Sequence, residues 1–212
     1  MYVLHWEYMA GSIVAQALLH EVEAEFEQRH VDMSSGDHKK PAYLDINPTG
    51  RVPALTLPNG KTIGETGAIV TYLCETFPKA RLSPQSTDAD RPEFLFWLNV
   101  MTSTGYPTVS RWNHPERYAR SDAAIAEVEE KGLADLNIFF DLMEDGISGQ
   151  KTFLKSGFSA LDYYLSMLTE WPADRERLFS THPKITVVYT SASERPAYKK
   201  SMNSHALPKV AA

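Results

Sequence analysis

Glu65-Thr66 stands one residue before Ala68-Ile69-Val70-x-Tyr72-Leu73, and this pair offers the clearest chemistry in the 212-residue sequence. The spacing of Ile69, Val70, Tyr72, Leu73 and Phe77 suits a largely buried helix, with Thr66 as a candidate cap at its start. Unpaired N–H groups and the positive end of the dipole make such a start receptive to a carboxylate or phosphate. An acid beside it, Glu65, could hold a cationic amine, so that the two together match the α-carboxylate and α-ammonium of an amino acid. The plainer reading is a capped helix and nothing more.

Upstream, Ala54 to Leu57 is a short strand-like run between Pro53 and Pro58, and Asn59-Gly60 offers the positive backbone angles of a tight two-residue turn. The chain returns through Lys61 to Ile63. A proline between a loop and a strand, as in Val52-Pro53, is open to the cis form, which would turn a strand edge outward where an extended peptide could pair. Taken singly, these two residues read first as an ordinary trans proline starting a strand, since X-Pro bonds are mostly trans.

Other chemistries find less support. The seven histidines are scattered, with no pair at metal-ligand spacing on one helix, and no phosphate-binding glycine loop is present. With 27 acidic and 21 basic residues the net charge is −6, spread without long blocks of one sign, which argues against nucleic acid as a partner. The single cysteine, Cys74, excludes an internal disulfide and sits mid-helix among Tyr72, Leu73 and Phe77, a packing position. No apolar run reaches membrane-spanning length, and Met1 to Glu7 lacks the pattern of a signal peptide, so the expected location is cytoplasmic.

The elements that must position these groups can be read in order. Tyr2 to Trp6 is rich in β-formers, Ser12 to about Val22 has helical spacing, and Phe26 to Val31 alternates like a strand, giving a strand-helix-strand unit with a right-handed crossover. A short helix near Ala42 to Ile46, the hairpin and the closing helix complete a thioredoxin-like order. A polar segment, Lys79 to Asp88, reads as a linker. The expected domains are therefore 1–78, thioredoxin-like; 79–88, linker; and 89–212, all-helical.

In the second half, Arg91 to Met101 and Asp122 to Met143 carry amphipathic patterns facing a common core. Thr102 to Arg120, with Tyr106, Pro107, Trp112, His114, Pro115 and Tyr118, breaks the helical period and reads as an irregular aromatic connection suited to a hydrophobic wall. Gly157-Phe-Ser-Ala-Leu-Asp-Tyr163 has the form of a capping box. Ser159 would cap, Asp162 would stand in for the usual Glu, and Phe158 would pack on Tyr163 at the start of a buried helix running through Leu168.

The combination Asn47-Pro48-x-Gly50-x-Val52-Pro53-Ala54-Leu55, then Glu65-Thr66-x-Ala68-Ile69-x-x-Tyr72-Leu73, resembles the glutathione-binding half of a glutathione S-transferase. The capping box, His182-Pro183-Lys184-Ile185 and Glu194-Arg195-Pro196-Ala197 extend the resemblance over nearly the whole chain. It implies an α/β plus all-α protein, a thioredoxin-like domain followed by a helical one. It also implies glutathione as co-substrate, no metal, and a homodimer. By resemblance a cis Pro53 lets Val52 pair with the cysteine of glutathione, and Glu65 and Thr66 take its γ-glutamyl end. His38, in Asp37-His38-Lys39-Lys40-Pro41, resembles positions that meet the glycine carboxylate, and Arg51 adds to that positive field.

A thiol of ordinary acidity is only a few per cent thiolate at neutral pH, so such an enzyme must favour the charged sulfur. The place for this is Glu7-Tyr8-Met9-Ala10-Gly11-Ser12, where Tyr8 and Ser12 are the only hydroxyls. The sequence departs from the best-known classes here. The usual serine position falls near Met9, and the strand-end tyrosine position near His5 or Trp6. Ser12 and Tyr8 stand level as catalytic candidates, with a backbone or helix-dipole donor as the third option. Ser12 also reads as a plain helix cap and Tyr8 as a pocket wall.

Met9, Tyr106 and Trp112 are the expected lining for the hydrophobic electrophile. The leading expectation is transfer of the glutathione thiolate to that electrophile. A glutathione-dependent lyase, isomerase or dehalogenase, or a non-catalytic interaction module of the same fold, competes with it.

Overall fold

The structure is a computed structural model, and it describes residues 1–206. Packing divides the described residues into two compact units: residues 1–83 together with 193–206, and Pro84–Ala192.

The first unit holds four strands, β1 (Tyr2–Trp6), β2 (Phe26–His30), β3 (Ala54–Thr56) and β4 (Thr62–Gly64), in one sheet ordered β2-β1-β3-β4. β1 and β2 are parallel, with Trp6 opposite His30. β1 and β3 are antiparallel with His5 opposite Ala54, and β3 and β4 are antiparallel with Ala54 opposite Gly64. A parallel pair needs a crossover, and α1 (Ser12–Glu21) supplies it; the short helix expected after β2 is α2 (Pro41–Leu44). All eight residues Ser12–Leu19 are buried, because α3 (Thr66–Thr76) and α10 (Pro196–His205) pack on the same helix. That enclosure explains why Ile13, Val14, Ala17, Leu18 and Leu19 leave α1 no polar face. Its one amide, Gln16, is paired with Gln28, while Ser201 of α10 donates to the Ile13 carbonyl at 2.9 Å. Sequence position groups α10 with residues 89–212, but its packing is on α1.

Two local expectations change. The hairpin turn is a three-residue loop, Pro58-Asn59-Gly60, closed by Leu57 N–H to the Lys61 carbonyl at 2.7 Å and Gly60 N–H to the Leu57 carbonyl at 2.9 Å. Only Gly60 in that loop takes a positive φ, +84°, since Pro58 presets the first turn position and favours a type I turn ending in a left-handed residue. Thr66 does not cap α3. It is the first helical residue, and Glu65 occupies the cap position at φ +61°, ψ +118°, because the chain leaves β4 at Gly64 and must enter the helix within one residue.

The second unit is helical: α4 (Arg91–Val100), α5 (Tyr106–Asn113), α6 (Asp122–Gly146), α7 (Ala160–Leu168), α8 (Arg175–Thr181) and α9 (Pro183–Ser193). The expected irregular stretch from Thr102 to Arg120 is instead mostly helical. A π-helical turn, Met101–Gly105, carries α4 into α5, with Tyr106 N–H bonded to the Met101 carbonyl, and Pro107, which has no N–H to give, follows directly after this wide turn. α7 is buried along its whole length and begins with the expected box. Asp162 accepts from Ser159 N–H and Phe153 N–H, each at 2.8 Å, and Phe158 lies edge-on to Tyr163 at 4.9 Å.

Candidate functional site

The sheet register decides which candidate residues meet. His5 faces Ala54, Ala54 faces Gly64, and Trp6 faces His30, so four connections leave the same end of the sheet. These are the β1–α1 loop, the segment after β2, Val52-Pro53 just before β3, and Glu65-Thr66 just after β4. Residues separated by more than 50 positions in sequence thus share one rim.

Val52-Pro53 is a cis peptide bond, and both residues are buried. Val52 belongs to a small apolar cluster with Val31 and Tyr43, against which Ala10 of the β1–α1 loop, Met33 and Ile46 pack. Ahead of it the backbone is held firmly. The Arg51 carbonyl accepts from the Tyr43 hydroxyl at 2.7 Å and from Asn47 Nδ2 at 2.8 Å. The buried Asn47 also lies against Gly64, where an added Cβ would stand 3.1 Å from its Nδ2. Gly50 adopts φ +58°, and a Cβ there would come within 3.0 Å of the His38 carbonyl oxygen. This close approach seats the 3₁₀ turn Asp37–Lys39 on the loop, with Lys39 Nζ donating to the Gly50 carbonyl at 3.0 Å. His38, Lys39, Lys40 and Arg51 therefore lie along one stretch of the rim, with the Arg51 side chain exposed.

Glu65 is exposed at the start of the eleven-residue α3, and no side chain caps that start. A non-glycine residue at positive φ with extended ψ is disfavoured by roughly 1–3 kcal/mol, and such conformations concentrate at ligand sites. Its carboxylate and the open N–H groups of α3 offer an acceptor for an ammonium beside donors for a carboxylate.

The β1–α1 loop is organised by a residue the sequence reading passed over. Glu7 accepts from Tyr8 N–H, Met33 N–H and His30 Nε2, each at 2.7 Å, and so ties the loop to the end of β2. An acid placed between a strand and a helix start was the available signal. Ser12 is wholly buried, and its hydroxyl donates to the Glu7 carbonyl at 3.1 Å. It is not the helix cap, since Gly11 holds that position without a side-chain bond. Tyr8 is partly exposed, with its ring 4.8 Å from Trp6 and 5.0 Å from His30. Met9 takes a left-handed φ of +46° and gives its N–H to His205 Nδ1 at 3.1 Å.

In the second unit, Tyr106 lies edge-on to Trp171 at 5.3 Å, and Trp112 lies farther along α5, where Gly132 of α6 passes close beneath its backbone. Among the described residues no group of three or more His, Cys, Asp or Glu could hold a metal ion. None of the helices there is long and apolar enough to cross a membrane.

Comparison with known proteins bears on the fold. A family model for the N-terminal domain of glutathione S-transferases matches residues 1–75. Glutathione S-transferase 3 of Zea mays is 25% identical over 199 residues, covering 90% of this chain and 88% of the relative. Among solved structures, a glutathione transferase homologue from Sulfitobacter with bound glutathione superposes with a TM-score of 0.87 at 24% identity, covering 96% of this chain and 98% of the other. A sphingomonad glutathione S-transferase complexed with glutathione has a TM-score of 0.83 at 26% identity, covering 97% of this chain and all of the other.

Proposed function

The chain belongs to the glutathione S-transferase family, and from that premise we propose how its own residues bind glutathione and direct the thiolate to a hydrophobic electrophile. The observation that carries the reading is the sheet register, which sets Val52-Pro53, Glu65 at the start of α3, and the β1–α1 loop on one rim.

In this reading the backbone of Val52 pairs with the cysteine of glutathione. Glu65 holds the γ-glutamyl ammonium, and the N–H groups at the start of α3, Thr66 included, receive its carboxylate. His38 and Arg51, with Lys39 and Lys40 beside them, attract the glycine carboxylate. Tyr8 is the better candidate for stabilising the sulfur. A hydroxyl has one proton to give, and that of Ser12 is committed to the Glu7 carbonyl. Stabilised as the anion, the sulfur forms a bond to an electrophilic carbon. The displaced electron pair leaves with a departing group or moves onto an adjacent acceptor atom that is then protonated.

Met9, Tyr106 and Trp112 are the proposed contacts for the electrophile. The proposal includes a cytoplasmic homodimer, supported by apolar side chains left exposed on the second unit: Phe96 of α4, and Ile138 and Leu142 one turn apart on α6. Titration calorimetry with glutathione tests the reading directly. Saturable binding at one site per chain is expected, and no binding would remove the proposal.

A further inference from the structure

The β1–α1 loop has a second anchor, and it comes from the far end of the chain. His205 closes α10, 196 residues from Met9, and is wholly buried with the Trp6 ring edge-on at 5.1 Å. Because Met9 N–H is the donor, His205 Nδ1 must be an unprotonated acceptor, which leaves the ring proton on Nε2. Nε2 has no hydrogen-bond partner among the described residues. Packing against Trp6 alone would be served by an apolar side chain, so the polar contact that distinguishes this imidazole is its bond from Met9 N–H.

That hydrogen bond holds the amide of a residue that would otherwise resist its left-handed φ of +46°. The loop is then fixed on both sides of Tyr8: Glu7 takes the Tyr8 amide, and His205 takes that of Met9.

We propose that His205 is a positioning residue for the thiolate chemistry: as a neutral imidazole it holds the Met9 amide, and with it the left-handed turn that presents the Tyr8 hydroxyl and the start of α1 to the sulfur of glutathione. This rests on the transferase reading above. Loss of the acceptor frees the turn, moves the donors away from the sulfur, and lets the bound thiol titrate more like a free one.

The test follows the thiolate absorbance of the enzyme–glutathione complex against pH for the wild type, His205→Phe and His205→Asn. Phenylalanine keeps a ring but no acceptor, whereas asparagine can place an amide oxygen where Nδ1 stood. The bound thiol should titrate about one pH unit higher in His205→Phe, about tenfold less thiolate at a given pH below both midpoints, and near the wild type in His205→Asn. A Phe variant that titrates with the wild type overturns the proposal, as does an Asn variant shifted as far as the Phe variant, which would mark a structural role only. A wild type that shows no glutathione-dependent thiolate signal overturns the transferase reading and this inference with it. Should His205→Phe fail to fold, imidazole nitrogen spectra of the wild type decide. Nδ1 must be unprotonated at neutral pH and its resonance must move on adding glutathione; a protonated Nδ1 or an unmoved resonance overturns the proposal.

Discussion

Glu65, Tyr8, Ser12 and His205 each make a separable claim. Replacing Glu65 by Gln removes a charge from an exposed side chain and leaves the backbone as it is, so the fold should persist. A charge-assisted hydrogen bond contributes about 1.5–3 kcal/mol, and calorimetry should therefore show glutathione bound roughly ten- to a hundredfold more weakly. Tyr8→Phe should lower turnover at neutral pH, with the loss recovering as the pH rises and the thiol ionises unaided. Ser12→Ala should keep the wild-type pH profile and lose about 1 kcal/mol of stability, because it deletes a buried hydrogen bond to the Glu7 carbonyl. The reverse pattern would exchange the two roles. Burial lowers the His205 pKa from 6.5 to about 4, with the Glu7 carboxylate acting in the opposite direction. The neutral form belongs to the fold, so the contribution of this group is present above about pH 6.5 and is lost as the pH falls towards about 4. Chemical denaturation should show His205→Asn gaining on the wild type across that interval.

Among the elements, α7 and the loop before β3 carry the most specific expectations. Burial raises the Asp162 carboxyl from 3.8 to about 6 even though backbone N–H groups of Ser159 and Phe153 and the Ser159 hydroxyl donate to it. A raised carboxyl pKa stabilises the fold below the unfolded value and loses that contribution as the pH climbs through about 6, opposite in sign to His205. Asp162→Ala leaves two buried N–H donors unpaired and should cost about 2–4 kcal/mol in urea unfolding, with little change in glutathione affinity at temperatures where the variant is folded. Gly50→Ala should behave differently. At φ +58°, with a Cβ 3.0 Å from a backbone oxygen, it must displace the turn bearing His38, so glutathione affinity and stability should fall together.

At the scale of the whole molecule, Phe96, Ile138 and Leu142 expose 58%, 63% and 43% of their surfaces on α4 and α6. Helix faces of this kind suit an interface between copies. Sedimentation at micromolar concentration should give twice the 23.8 kDa chain mass, and replacing Phe96 and Ile138 by Lys should give monomers. Monomeric wild type at that concentration would remove the dimer.

Much of this protein follows from local sequence. The strand-helix-strand start, the placement of α3 after the hairpin, and the capping box before α7 all rest on short-range rules of periodicity, capping and turn chemistry, which operate within about ten residues. Glu65 and Val52-Pro53 could be picked out for the same reason, since one sits at a helix start and the other at a strand entry. The rim that joins them was decided by the pairing of His5 with Ala54 and of Ala54 with Gly64, a register the chain acquires only when both strands bury their inner faces together. Local rules also misread Thr66 and the stretch after Met101, where the exit from β4 and continuous packing of α4 into α5 override cap preference and proline spacing. His205 lies beyond any local reading. Nothing near it in sequence says that its imidazole meets Met9, and only the docking of α10 on α1, which buries Ser201 and His205 against the start of the chain, brings the two together.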